Sequence, residues 1–185
     1  MYPLPTAASL SEACEAAALQ LVSDILLIHV AVTEPFGSSS ALISYSLLDS
    51  AVHRPFYSFG SDFVYNSGLE QAAALFKSLV QNHAFEDGNK RTAITVCLYF
   101  LFRCGYWTHG EGLLTDKEAQ ELERLTLMVA QENVLLHTGA LPARLEIPDL
   151  AGAIDDILGS SRGRRPRLSR RLSQAFRGIY RLFDV

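Results

Sequence analysis

The stretch Asn89–Arg103 (Asn-Lys-Arg-Thr-Ala-Ile-Thr-Val-Cys-Leu-Tyr-Phe-Leu-Phe-Arg) constrains the fold more than any other part of the chain. Beyond its polar opening it is apolar on nearly every side, and Gly105 ends it. It is too short to cross a bilayer, which takes about 20 apolar residues. A helix without a polar face has to lie at the centre of a domain, wrapped by other elements. A polar loop, His83 to Gly88, leads directly into it.

The wrapping is legible as further helices. From Ser11, a candidate cap, to Val32, apolar residues recur at helical spacing. Within that span Gln20, Ser23, Asp24 and His29 make Ala16–Val32 read as an amphipathic core helix. Thr33–Ser40, with Pro35 and Gly37, reads as a loop. Leu42–Val52 is helical, with Leu47, Leu48 and Val52 on one side, and Pro55 stops it. Phe56–Tyr65 is aromatic and contains Gly60, which suits a short hairpin or an extended flap. Gly68–Asn82 is a strong helix, and Thr115 with Glu118 forms a capping-box pattern opening another to about Glu132. Pro148–Leu158 suits a short helix and 159–166 a polar linker. The expectation is an all-α domain with a short β-hairpin flap, occupying 10–135, with an extension over 136–160 and a tail over 161–185.

Composition fits one globular domain: apolar residues are 49% and charged residues 19% of a chain of 185 residues. No segment reads as a secretory signal, and Cys14, Cys97 and Cys104 read as reduced, buried thiols of a cytoplasmic protein. The net charge of −4 conceals an asymmetry. Residues 161–185 carry 8 arginines against Asp184 alone, while residues 1–160 carry 8 Lys+Arg against 19 Asp+Glu. In the tail, Leu168, Leu172, Phe176, Ile179 and Phe183 fall at helical spacing between arginines such as Arg165, Arg170 and Arg177. That is a basic amphipathic helix. Three partners suit it: the acidic body of the chain or another subunit, an anionic membrane, or nucleic acid.

The chemistry concentrates in His83-Ala84-Phe85-Glu86-Asp87-Gly88-Asn89-Lys90-Arg91. A helix N-terminus presents unpaired N–H groups and partial positive charge, which is an anion site. Gly88 permits a tight turn and a close ligand approach. Lys90 and Arg91 place two cations where the helix dipole disfavours them, by a few tenths to ~1 kcal/mol each, and an anionic ligand removes that penalty. Asp87 supplies a carboxylate of the kind that holds magnesium on nucleotide phosphates. His83 has the pKa class for general-base work at neutral pH, and Phe85 reads as a core anchor for the loop. Each residue alone has a bland reading, such as a turn or a solvated polar group, but no packing argument needs all of these types together.

This segment resembles the Fic/Doc family motif of His, any, Phe, any, Asp/Glu, Gly/Ala, Asn, Gly/Lys, Arg, matched at His83, Phe85, Asp87, Gly88, Asn89, Lys90 and Arg91. Thr92 and Ala93 complete the Lys-Arg-Thr-Ala ending typical of the Doc, or death-on-curing, branch. The resemblance extends over roughly Leu21–Asn133, including Leu26–His29, Leu47–Pro55, Ala72–Gln81 and Leu98–Tyr106.

The resemblance implies an ATP-dependent transferase acting on protein. His83 would take a proton from a target hydroxyl and Asp87 would hold Mg2+. Gly88, Asn89 and Lys90 would bind phosphate, with Arg91 neutralising developing charge. The flap residues Arg54, Pro55, Phe56, Tyr57, Ser58 and Phe59 would hold the target segment by strand addition, although flap aromatics equally suit a core. Lys90, with Ile94 where many Fic proteins place a second arginine, points to a Doc-type kinase that transfers the γ-phosphate of ATP to Ser/Thr. An elongation factor is the target that the branch implies. Protein AMPylation and a catalytically idle binding module are the alternatives. Restraint is expected from an antitoxin in trans. The near match to an inhibitory segment at Ser11–Ala16, with Glu15, reads as a surface glutamate.

Overall fold

The computed structural model describes residues 7–59, 62–106, 114–138 and 145–158. Among them the helices are α1 (Ala7–Thr33), α2 (Tyr45–His53), α3 (Gly68–Asn82), α4 (Asn89–Arg103), α5 (Asp116–Thr138) and α6 (Ile147–Leu158). A two-stranded antiparallel hairpin, β1 (Ser58–Phe59) and β2 (Asp62–Phe63), lies between α2 and α3. Short 3-10 turns at Glu34–Phe36 and Arg54–Phe56 close the connections after α1 and α2. The tail, residues 161–185, lies outside the described residues.

The apolar helix is the centre that its sequence demands. Thr92, Ala93, Ile94, Thr95, Val96, Cys97, Phe100 and Leu101 of α4 are all buried. Helix α3 packs along α4, and both α1 and α5 contact α4 as well. Helix α6 packs on α3 and α5, and its Leu150, Ala151, Ile154 and Leu158 join the same core. The core therefore continues past residue 135, and α5 runs unbroken across that position to Thr138.

Caps explain the helix starts. The Ser67 hydroxyl accepts from the Glu70 N–H at 3.1 Å, starting α3. At α5 the Thr115 N–H donates to Glu118 Oε2 at 2.6 Å and the Glu118 N–H donates to Thr115 Oγ1 at 3.3 Å, the reciprocal pair expected. Elsewhere the structure differs from the sequence reading. Helix α1 begins at Ala7, so Ser11 lies inside it and not at its cap. Helix α2 begins only after Ser44, whose hydroxyl accepts from the Leu47 N–H; Leu42 is left outside, and Leu47 faces solvent. Of the cysteines only Cys97 is buried; Cys14 is half-buried, and Cys104, at the C-cap of α4, is exposed.

Helix α1 is long and apolar enough, by length and composition, to span a membrane. One side, with Ala18, Leu21, Ile25, Ile28 and His29, is buried. The opposite side is less polar than the amphipathic reading required, because Leu19, Leu27 and Val30 are exposed there.

Candidate active site

Two left-handed residues bracket the motif loop. His83 terminates α3 at φ 50 and ψ 52, and Gly88 precedes α4 at φ 72. Among the described residues His83 is the one non-glycine with positive φ, a conformation that histidine adopts more readily than most side chains but that still carries a cost. Its result is an exposed imidazole beside a buried Ala84. Gly88 has no such freedom to change. A Cβ there would meet the Thr33 methyl at 2.4 Å and His29 Cε1 at 3.4 Å.

The segment between α1 and α2 clamps the loop from outside. The Ile43 and Ser44 N–H groups donate to the Ala84 carbonyl at 2.9 and 3.1 Å, and the Glu86 N–H donates to the Ala41 carbonyl at 3.0 Å. Leu42 and Phe85 form an antiparallel bridge. Ser39 Oγ donates to Glu86 Oε2 at 2.5 Å. Inside the loop, the Phe85 N–H donates to Asn89 Oδ1 at 3.0 Å while Asn89 Nδ2 donates back to the Phe85 carbonyl at 2.7 Å. Phe85 is buried as expected, its ring stacked on the His29 imidazole with centroids 3.7 Å apart.

What this framework presents is the first turn of α4. No side chain caps it at Gly88, and no acidic residue lies in that turn, so its amides and dipole are available to an anion. Lys90 is exposed beside them. Arg91 is held in place from several sides. Its guanidinium donates to the Val32 carbonyl at 3.2 Å and to Ser38 Oγ at 2.8 Å, approaches Asp87 at 3.4 Å, and lies over the Phe36 ring at 4.8 Å. Asp87 accepts from the Gly88 N–H at 2.6 Å and remains exposed. The Ser38 hydroxyl, the Gly88 amide and the Arg91 charge hold its carboxyl below the usual carboxylate range, so it is ionised at neutral pH. An exposed, ionised carboxylate next to an uncapped helix N-terminus fits magnesium, which takes one or two carboxylates plus phosphate oxygens.

The flap divides. Pro55 is buried, and the Phe56 ring lies 6.4 Å from that of Phe100, so both are rooted in the core. Arg54 Nε donates to Tyr65 Oη at 3.1 Å, and its guanidinium lies over the Tyr57 ring at 5.3 Å. Of the six residues Arg54–Phe59, Tyr57, Ser58 and Phe59 project, with Phe59 90% exposed. Glu15 is exposed and lies 3.2 Å from His53 Nε2, on the flank of α2.

The sequence gives no supporting role to the residues beneath and beside the loop: His29, Thr33, Ser38, Ser39 and Thr92. His29 is 1% exposed, and burial, aided by the Arg91 charge, pushes its pKa down to about 4. A lone imidazole on the apolar face of α1 was the available signal, but its partners lie far along the chain.

The Fic/DOC family model matches residues 19–101. A curated protein named Toxin Doc, from Mycolicibacterium smegmatis, is 38% identical over 95 residues, which are 51% of this chain and 69% of that protein. No solved structure matches the chain significantly. The span of the family match runs from α1 through nearly all of α4, so it takes in both the motif loop and the clamp around it.

Proposed function

Given that the chain belongs to the Fic/DOC family, on its Doc branch, we propose that it is a Doc-type toxin that transfers the γ-phosphate of ATP to a Ser/Thr hydroxyl of a target protein. The observation that carries this reading is the uncapped first turn of α4 flanked by an exposed His83 and an ionised Asp87.

The first-turn amides of α4 and Lys90 receive phosphate oxygens. Gly88, whose own N–H is given to Asp87, lets the ligand come close, and Asn89 acts by holding the loop through Phe85. Asp87 holds Mg2+, which supplies charge neutralisation on the phosphates when bound. His83 accepts the proton of the target hydroxyl as that oxygen bonds to the γ-phosphorus. The bond to the β–γ bridging oxygen breaks and ADP leaves. Arg91, already oriented by Val32 and Ser38, supports the charge that develops. Tyr57, Ser58 and Phe59 on the hairpin offer an edge for an extended target segment.

Phosphoryl rather than AMP transfer is supported by Lys90 and by Ile94. Position 94 is 5% exposed and packed in the core, so it supplies no second cation to the site. A translation factor is the proposed target, an antitoxin in trans the proposed restraint, and the cytoplasm the proposed location. Added to a cell-free translation extract with ATP and Mg2+, the chain should stop synthesis while His83→Ala leaves it running. Equal inhibition by both would remove the catalytic reading, and no inhibition by the wild type would remove the translation target.

A further inference from the structure

We propose that His29 is a positioning residue for the phosphate-facing turn of α4, held as the Nδ1–H tautomer and acting through Thr92 on the Gly88 carbonyl. The inference rests on the phosphate-site reading above and adds to it a residue outside the motif.

The contacts form a chain. His29 Nδ1 lies 2.8 Å from Thr92 Oγ1, which lies 2.9 Å from the Gly88 carbonyl oxygen. The hydroxyl has one proton to give. Directed to Gly88, it leaves the Thr92 oxygen to accept from His29 Nδ1–H. Directed to His29, it would leave the Gly88 carbonyl with the Thr92 backbone N–H, at 2.9 Å, and without the hydroxyl, and it would place the ring proton on Nε2. That nitrogen is enclosed and has no hydrogen-bond partner. A buried N–H without an acceptor is rarer and costlier than an unused lone pair, so the first arrangement holds and Nδ1 carries the proton.

Packing alone does not require an imidazole here. The stacking on Phe85, at 3.7 Å and 16°, asks only for a flat ring, and a carbocyclic one would bury no orphaned nitrogen. What only the imidazole supplies is the Nδ1–H donor. The last turn of α1 completes the support: Thr33 Oγ1 donates to the His29 carbonyl at 2.7 Å, and its methyl occupies the space that a Gly88 side chain would need. Gly88 is thus set at φ 72 from below, and its orientation fixes the direction of the amides that begin α4. His29 reaches no substrate itself, because it is buried beneath the loop.

The test is calorimetric titration of the full chain with ATP and Mg2+, each variant measured well below its own Tm. His29→Phe and Thr92→Val should each weaken binding about tenfold or more, and the double variant should be no worse than either, because both break one link. His29→Asn, which restores a donor near the Nδ1 position, should recover most of the affinity lost by His29→Phe. Long-range proton–nitrogen NMR correlation of the wild-type ring should show the proton on Nδ1, a signature that a purely structural role would not require. If the wild type binds and both single variants bind equally well, positioning is overturned while the phosphate site stands. No binding by the wild type overturns the phosphate site and the inference together. Should His29→Phe fail to fold, Thr92→Val and the spectrum still decide, and a proton on Nε2 overturns the relay.

Discussion

Asn89 and Phe85 hold one another through both halves of a side-chain amide: the Phe85 N–H reaches Oδ1 and Nδ2 reaches the Phe85 carbonyl, at 3.0 and 2.7 Å. A residue read from its sequence position as a phosphate ligand is therefore also the clasp of the loop. Asn89→Ala should open that clasp, leaving a half-buried donor and acceptor without partners at a cost of about 1–3 kcal/mol. Hydrogen exchange should quicken at residues 84–88 while α3 and α4 keep their protection. Unchanged exchange there would show that the 41–44 clamp suffices by itself.

Arg91 is the least replaceable of the motif cations. Its planar guanidinium reaches the Val32 carbonyl, Ser38 and Asp87 at once while covering the Phe36 ring. A lysine retains charge but not this fork. Arg91→Lys should therefore lose about tenfold or more in ATP affinity and lower stability by about 1–2 kcal/mol. Titration calorimetry and chemical denaturation measure the two losses, and a neutral result in both would contradict the anchoring.

Acid should weaken the fold through His29. Its folded pKa is depressed from 6.5 to about 4, so between those values the unfolded chain binds the extra proton. Stability at this site is complete above pH 6.5 and falls on acidification, by up to ~3 kcal/mol at pH 4. His53 acts in the opposite sense. Its pKa is raised, first by the Asp49 carbonyl and then by Glu15, so its contribution is present below its ordinary value and fades as pH rises through the raised one. Denaturation midpoints between pH 4 and 6.5 should slope upward in the wild type and flatten in His29→Phe. An equal slope in both would assign the acid sensitivity elsewhere.

Lys77 and Glu132 form a buried pair at 2.8 Å that also holds the 145 segment, through Leu145 O at 2.5 Å and Leu145 N at 2.9 Å. Lys77→Met leaves the buried carboxylate without its counter-charge, still accepting from Gln81 Nε2 and the Leu145 N–H, and should cost about 3 kcal/mol. Lys77→Met with Glu132→Leu should cost less than the single change. A double variant worse than the single would mean that the backbone links to Leu145, not charge, dominate. Thermal denaturation of the three proteins measures the order.

How far the sequence carried follows from where each signal is local. Helices α3 and α4 were legible to the residue, because Gly105 and the motif glycine punctuate strong apolar patterns. The capping box at Thr115 and the hairpin within Phe56–Tyr65 were equally readable, being settled over a few residues. Leu42 reads from the sequence as the start of α2, whereas the chain spends it on a bridge to Phe85. The clamp from Ser38 to Ser44 divides in sequence between the Thr33–Ser40 loop and the start of the Leu42–Val52 helix, since its partners in the motif are far away along the chain. His29 lies 63 residues from Thr92, and no periodicity reports such a pairing. The flap residues Pro55 and Phe56 were grouped with Tyr57 and Phe59 by neighbourhood, yet a 3-10 turn sends the former pair inward.

The most direct measurement follows label from ATP. The full chain and its His83→Ala variant are incubated in a cell lysate with Mg2+ and ATP labelled on either the γ- or the α-phosphate. The site described here should place label on a protein from γ-labelled ATP only, and only with His83 present. His83-dependent label from α-labelled ATP would mean nucleotide transfer in place of phosphoryl transfer. Labelling of equal strength with His83→Ala would contradict the role given to the imidazole.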